Sequence, residues 1–180
     1  DMLFTGISSG QPAFIRYPRG NGLGVTLKKF PETIEIGKAE VITEGEICSI
    51  WALGPFVENA YILAEKLSAK YNLECSLVNV RFVKPLDVDL LIKHATRHDF
   101  IVVLEDNVMM GGLGSAIMES LQLNDLQIPI KRFGWPDTFI PHGSSVIELR
   151  AKYGLEDQSI FTSVENFIKK RLKKPERAIA

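Results

Sequence analysis

The sequence predicts an α/β domain with a mostly parallel open β-sheet and helices on both faces. From residue 34 onward, apolar segments that favour strands alternate with segments of helical spacing, joined by short turns that contain glycine. The run 100–104 is the clearest strand, because it is almost continuously apolar and β-branched, like the buried strands of parallel sheets. Hydrophobic residues make up 46% of the 180 residues and charged residues 24%, which is typical of a globular domain with one core.

Glycine and proline interrupt the first third of the chain. Residues 12–18 predict a short strand that ends at Pro18, and the glycines of 19–24 predict a loop. A polar connector follows, so we place a domain boundary near residue 33. The alternating apolar positions of 33–42 predict a strand or one arm of a hairpin. The chain starts at Asp1 without an initiator methionine, and we expect it to be a piece of a longer protein.

Strands and helices then alternate. The apolar run 47–53 ends at a Gly-Pro pair and predicts a buried strand. Residues 57–70 have helical spacing, with one apolar face formed by Val57, Ala60, Tyr61, Ala64 and Leu67. Residues 74–82 predict the next strand, and Asp87 is placed to cap the helix that follows it.

The remaining elements complete the same pattern. The glycine-rich turn 111–115 leads into a predicted helix at 116–123. Residues 128–134 predict a strand at the edge of the sheet, because Pro129 cannot donate a hydrogen bond to a neighbouring strand. Two helices, at 144–153 and 159–172, are predicted to close the domain.

Composition excludes several classes of partner. A formal net charge of -1 gives no overall field that would attract nucleic acid or an anionic membrane. No apolar stretch approaches the roughly 20 residues of a membrane helix, and the N-terminus lacks a signal-peptide pattern. Cys48 and Cys75 lie inside apolar runs, so we expect two buried free thiols in a cytosolic protein. The basic run 169–174 is typical of a solvated helix end.

The first candidate motif is the string RYPRGNG at residues 16–22. Guanidinium groups match phosphate oxygens, and glycines allow backbone N–H groups to approach an anion. The alternative is a strand end whose arginines pair with surface carboxylates. If the segment is extended, Arg16 and Arg19 point to different sides and have different roles.

Two further motifs lie where predicted strands turn into helices. Glu105, Asp106 and Asn107 precede the glycine turn 111–115, at the strand end where open α/β sheets bind ligands. The alternative is a tight connection whose glycines allow close packing. In the string RFVKPLD at 81–87, the two basic residues offer a second anion site, or the segment is simply a structural turn into a helix.

Three histidines complete the candidates. His94 and His98 have the i, i+4 spacing of two metal ligands on a helix. No third ligand accompanies them, so we predict that they lie on a solvated helix face. His142 lies in a Pro/Gly loop, and it is either functional or a cap near the helix that starts at Ser144.

Four strings carry a family resemblance. RYPRGNG, NVRFVKPLD, EDN with GGLGS, and PD with FIPHG resemble, in this order, the C-terminal part of the 1-deoxy-D-xylulose-5-phosphate synthase family. The resemblance covers almost the whole chain. It departs from the family at Asp106, where a second glutamate is usual; aspartate keeps the charge and shortens its reach.

The resemblance implies a synthase that condenses pyruvate with glyceraldehyde 3-phosphate, releasing carbon dioxide. Thiamine diphosphate and Mg²⁺ supply the chemistry in that family, and the product feeds isoprenoid precursors and thiamine. The resemblance assigns residues 1–33 to the tail of the pyrimidine-binding domain and a linker. It assigns 34–173 to the transketolase C-terminal domain and leaves 174–180 as a tail.

The same resemblance leaves few functional residues in this chain. It implies that Arg19 binds the phosphate of the triose substrate and that Arg16 has a structural role. It places the catalytic residues and the metal site in N-terminal domains that are missing here, so we expect no activity from this chain alone. It further implies a homodimer in the cytoplasm or, in a plastid-bearing organism, in the stroma. The alternatives are a stand-alone regulatory or scaffolding module and the C-terminal domain of a 2-oxo-acid dehydrogenase β subunit.

Overall fold

A computed structural model describes residues 1–18, 24, 26, 28–142 and 145–172. The strands are β1 Glu40–Thr43, β2 Cys48–Leu53, β3 Cys75–Asn79, β4 Phe100–Val108 and β5 Ile130–Trp135. The helices are α1 Met2–Ser8, α2 Phe56–Tyr71, α3 Val88–Arg97, α4 Leu113–Leu123, α5 Val146–Lys152 and α6 Asp157–Leu172. The strand and helix alternation expected from residue 34 onward is therefore present.

The strands form one open sheet in the order β1-β3-β2-β4-β5. Strands β2 to β5 are parallel, and β1 pairs with β3 in the antiparallel direction. This topology confirms the predicted fold class. The expected edge position of β5 is also confirmed, and Pro129 lies just before the strand, where its carbonyl accepts a hydrogen bond from the Ile101 N–H.

The sheet has an apolar core on each face. On one face, α2 packs against β2, β3 and β4, and α6 packs against α2 and β5; their buried side chains include Phe56, Leu63 and Val164. On the other face, α3 and α4 cover Trp51, Val78 and Val103. At about 25 cal/mol for each Å² of apolar surface removed from water, these two layers supply the main stabilisation of the domain.

Three local predictions are wrong. Residues 12–18 form no strand, since two prolines remove N–H groups and no strand among the described residues pairs with this segment. The strand predicted over 33–42 is confined to Glu40–Thr43, because the chain turns at Gly37, where φ is 81°. The buried face of α2 is formed by Phe56, Ala60, Leu63 and Leu67, whereas Tyr61 is 43% exposed.

Candidate functional site

Glu105 is the central polar residue at the carboxyl end of β4. Its side chain is fully buried, and its two carboxyl oxygens accept hydrogen bonds from the Leu113 and Gly114 N–H groups at 2.7 and 3.0 Å. These are the first N–H groups of α4, which have no carbonyl partner within the helix. Burial raises the pKa of Glu105, while the two N–H groups act in the opposite direction. The helix end where an anionic ligand would bind is therefore already occupied by the protein's own carboxyl group.

The glycines of the turn are required by close packing. A Cβ atom on Gly112 would overlap the Glu105 carboxyl group, and one on Gly114 would lie 2.6 Å from Arg132 Nε. Gly111 has a φ of 74°, a conformation that other residues rarely adopt. The geometry therefore favours the structural interpretation of this motif, a tight connection between β4 and α4.

Asp106 joins three distant parts of the chain at the same edge. Its Oδ1 accepts a hydrogen bond from Trp135 Nε1 at 2.7 Å, and its Oδ2 lies 3.5 Å from Arg150 Nη2. Its backbone carbonyl accepts a hydrogen bond from Arg16 Nη2 at 2.7 Å. The Arg150 guanidinium also lies 4.5 Å from the centre of the Phe56 ring. Arg16 thus ties the N-terminal segment to the end of β4, in agreement with a structural role.

The predicted substrate residue Arg19 lies outside the described residues, as do the glycines at 20 and 22. His142 is exposed and takes no part in capping α5. That role belongs to Ser145, whose hydroxyl accepts a hydrogen bond from the Glu148 N–H at 3.2 Å.

The segment 81–87 forms a strand-to-helix turn. Arg81 pairs with Glu40 at 2.7 Å and has a φ of 58°, which is uncommon for a residue other than glycine. Asp87 caps α3 by accepting a hydrogen bond from the Leu90 N–H at 3.2 Å, which confirms the predicted cap. Asp87 also accepts a hydrogen bond from the Ala39 N–H at 3.0 Å, so it fixes the approach to β1 as well.

The prediction of a solvated face for His94 and His98 is wrong. The two histidines are only 1% and 6% exposed, because this face of α3 packs against the sheet. Ser49 and Ser76 are register partners on β2 and β3, and their hydroxyls lie 2.7 Å from His94 Nδ1 and 2.9 Å from His98 Nε2. Trp51 Nε1 donates to the Ser49 hydroxyl at 2.8 Å, which adds the indole to this buried polar network. The sequence signal was the spacing 87, 91, 94 and 98, which places four residues on one helix face.

Because of this network, we expect the free energy of unfolding to fall in acid. Burial first, and His98 second, lower the pKa of His94 to about 4 from its ordinary 6.5, so the folded protein favours the neutral ring. The stabilisation is complete above pH 6.5 and is lost as the pH falls towards 4, by at most about 1.4 kcal/mol per pH unit. Urea unfolding at a series of pH values measures this slope.

The variant His94→Gln is the control for that experiment. Glutamine keeps hydrogen-bonding capacity but does not titrate, so its unfolding free energy should depend less on pH in this window than that of the unchanged protein. The raised pKa of Glu105 has the opposite effect on the pH dependence of stability, because it favours the folded state in acid. This effect is the same in both proteins. Equal slopes for the two proteins would contradict the assignment to His94.

The described part of the chain was also compared with the requirements of a metal site and of a membrane span. Within it, no group of three or more His, Cys, Asp or Glu side chains could hold a metal ion. None of the helices in the described ranges has the length and apolar character that spanning a membrane requires.

Comparison with known proteins gives a consistent family. The 1-deoxy-D-xylulose-5-phosphate synthase of Methylacidiphilum infernorum is 47% identical over 173 residues, which are 96% of this chain and 26% of that protein. The synthase of Acidobacterium capsulatum is 42% identical over 168 residues, again 26% of its length. The chain thus spans about a quarter of the length of the curated relatives it matches.

Two solved structures and a family model all relate this chain to transketolase. The solved structure titled "Split gene transketolase, inactive beta4 tetramer" superposes with a TM-score of 0.67 at 31% identity, covering 78% of this chain and 46% of its own. A transketolase mutant of Pichia stipitis shares the fold alone, with a TM-score of 0.50 at 12% identity over 77% of this chain and 19% of its own. The model for the C-terminal domain of transketolase matches residues 37–160, well over half of the chain. The chain therefore belongs to the transketolase C-terminal domain family.

Proposed function

We propose that this chain is the C-terminal part of a 1-deoxy-D-xylulose-5-phosphate synthase, an enzyme that condenses pyruvate with glyceraldehyde 3-phosphate. The observation that carries the proposal is the extent of the similarity. It reaches 47% identity over 96% of the chain, whereas the match to the transketolase C-terminal domain model covers residues 37–160. The similarity to these synthases therefore includes segments on both sides of the shared domain.

The described residues do not fit a site for thiamine diphosphate and Mg²⁺. No metal-binding cluster occurs within the described ranges, and the carboxyl groups at the end of β4 are already bonded within the protein. Our proposal therefore places the cofactor, the Mg²⁺ ion and the catalytic groups in the part of the enzyme that precedes this domain. When bound, the cofactor supplies the carbanion chemistry of the reaction.

The role we propose for most of this chain is support of the neighbouring domains and of a homodimer. Glu105 and Asp106 hold the helix and loops at the carboxyl edge of the sheet, which is where ligands bind in many open α/β proteins. Here that edge is occupied by side chains of the protein itself. On this basis we expect the isolated chain to be inactive; one solved relative is itself titled an inactive tetramer.

Arg19 is the residue that we propose contacts substrate, through the phosphate of glyceraldehyde 3-phosphate. Its guanidinium group offers paired N–H donors to phosphate oxygens. Arg16, three residues earlier, is bonded to the Asp106 carbonyl, so the segment that leads to Arg19 is tied to the rigid end of β4.

The test uses this chain fused behind the first three quarters of the Methylacidiphilum synthase. In the active fusion, Arg19→Ala should raise the KM for glyceraldehyde 3-phosphate about 10- to 100-fold, the loss expected for one charged hydrogen-bond pair. The KM for pyruvate should not change. Arg97→Ala is the matched control, since Arg97 is an exposed arginine on α3 whose loss should leave both constants unchanged. An unchanged triose KM in the Arg19 variant would contradict the role given to Arg19.

A further inference from the structure

The two free thiols of the chain lie side by side in the core. Cys48 and Cys75 are the first residues of β2 and β3 and are register partners in the parallel pair. Both belong to the core layer under α2 and α6, and both are buried and free, as predicted from the sequence. Neighbouring strands lie about 4.8 Å apart. That spacing falls within the roughly 4.4–6.8 Å between Cα atoms that a disulfide requires.

The two thiols differ in their access to solvent. Cys48 is fully buried, whereas Cys75 is 7% exposed and lines an open cleft of about 370 Å³. The cleft lies between the end of β1 and one side of α2, and its other lining residues include Thr43, Ala64, Ser68 and Leu73. Burial, and then the neighbouring Cys75 thiol, raise the pKa of Cys48. A reagent that enters the cleft therefore meets Cys75 first.

The position of the pair at the strand ends allows the approach that a bridge requires. The Cβ atoms of a disulfide lie about 3.5–4.5 Å apart, closer than the spacing of neighbouring strands. Cys48 is paired on both sides, with Cys75 and with Phe100, whereas Cys75 lies beyond the last register pair of β1 with β3, Thr43 and Leu77. Cys75 is therefore the residue that moves towards its partner when the bridge closes. The Cys75 thiol makes a weak hydrogen bond to the Leu73 carbonyl at 3.8 Å and interacts with the Cys48 thiol beside it.

We propose that Cys48 and Cys75 form an oxidisable dithiol that reacts with small-molecule disulfides through the cleft. The Cys75 thiolate attacks one sulfur of the disulfide, which forms a mixed disulfide and releases one small thiol. The Cys48 sulfur then attacks the Cys75 sulfur as its thiol gives up its proton, which closes the protein disulfide and releases the second small thiol. Two protein thiols are oxidised, one small disulfide is reduced to two thiols, and the two thiol protons leave with them.

Oxidised glutathione is the probe, applied to the folded chain without denaturant. The expected product lacks two hydrogen atoms, has no titratable thiol, and yields a peptide pair that joins Cys48 to Cys75. Dithiothreitol should restore both thiols. Cys48→Ala should stop at one glutathione adduct on Cys75, because no second thiol is present to resolve it. Cys75→Ala should keep its remaining thiol unmodified over the same time.

Three results would overturn the proposal. The first is that the folded unchanged protein keeps both thiols free; the second is that the bridge forms only when urea is added. Both are measured on the unchanged protein, so they hold even if a variant fails to fold. The third is that Cys75→Ala is modified as fast as the unchanged protein, which would show that Cys48 is reached independently of Cys75.

Discussion

Replacing Glu105 with alanine should lower the free energy of unfolding by about 3 kcal/mol. The change removes the acceptor of two buried N–H groups, those of Leu113 and Gly114, and each unsatisfied group of this kind costs about 1–3 kcal/mol. The Gly112 backbone also loses the carboxyl group packed against it. Urea unfolding measured by circular dichroism should show a lower midpoint with an unchanged slope.

Two further variants make this test specific. Glu105→Gln keeps one side-chain oxygen but turns an amide NH₂ group towards one of the two N–H donors, so we expect an intermediate loss of about 1–2 kcal/mol. Glu119→Ala changes an exposed glutamate on α4 itself, and its effect should stay within about 0.5 kcal/mol. If Glu105→Ala cost no more than Glu119→Ala, Glu105 would not be the cap of this helix.

Gly45→Ala should be similarly destabilising, for a steric reason. An added Cβ would lie 2.5 Å from backbone atoms of both Glu74 and Cys75, and backbone cannot move aside as a flexible side chain can. The displaced turn would also strain the hydrogen bonds that Gly45 exchanges with Ser76, at 2.9 and 3.1 Å. We expect a loss of about 3 kcal/mol, at the upper end of overpacking costs.

Glu46→Ala is the matched control for Gly45→Ala. It introduces the same side chain at the next position of the turn, where the glutamate is exposed, so its effect should be within about 0.5 kcal/mol. The Gly45 carbonyl also lies 3.0 Å from His98 Nε2, so the nuclear magnetic resonance signal of this imidazole should move in Gly45→Ala alone. Unchanged stability of Gly45→Ala would contradict the packing described for this turn.

The sequence predicted those elements whose signal is local. The run 100–104 is apolar on both sides, as a central strand must be, and Asp87 is a capping residue followed by a helical pattern. Two errors came from relations between distant residues. The segment 12–18 has strand-like composition but no pairing partner in the part of the chain that the structure describes, and the face of α2 depends on which side chains α6 covers.

The buried polar residues also depend on contacts between distant parts of the chain, which the local sequence does not show. Nothing near Glu105 in the sequence shows that its carboxyl group reaches the N–H groups of residues eight and nine positions later. His94 and His98 have polar side chains, and serines of two neighbouring strands give their rings hydrogen-bond partners in the buried layer. These serines are 27 residues apart in the chain and become neighbours only through strand register.

The most direct test of the proposed function is product formation from pyruvate and glyceraldehyde 3-phosphate with thiamine diphosphate and Mg²⁺. The isolated chain and its fusion to the first three quarters of the Methylacidiphilum synthase are assayed side by side. We predict that the isolated chain forms no 1-deoxy-D-xylulose 5-phosphate, whereas the fusion does. Product from the isolated chain, or a folded fusion that forms none, would contradict the conclusion that this domain supports a synthase whose catalytic groups lie elsewhere.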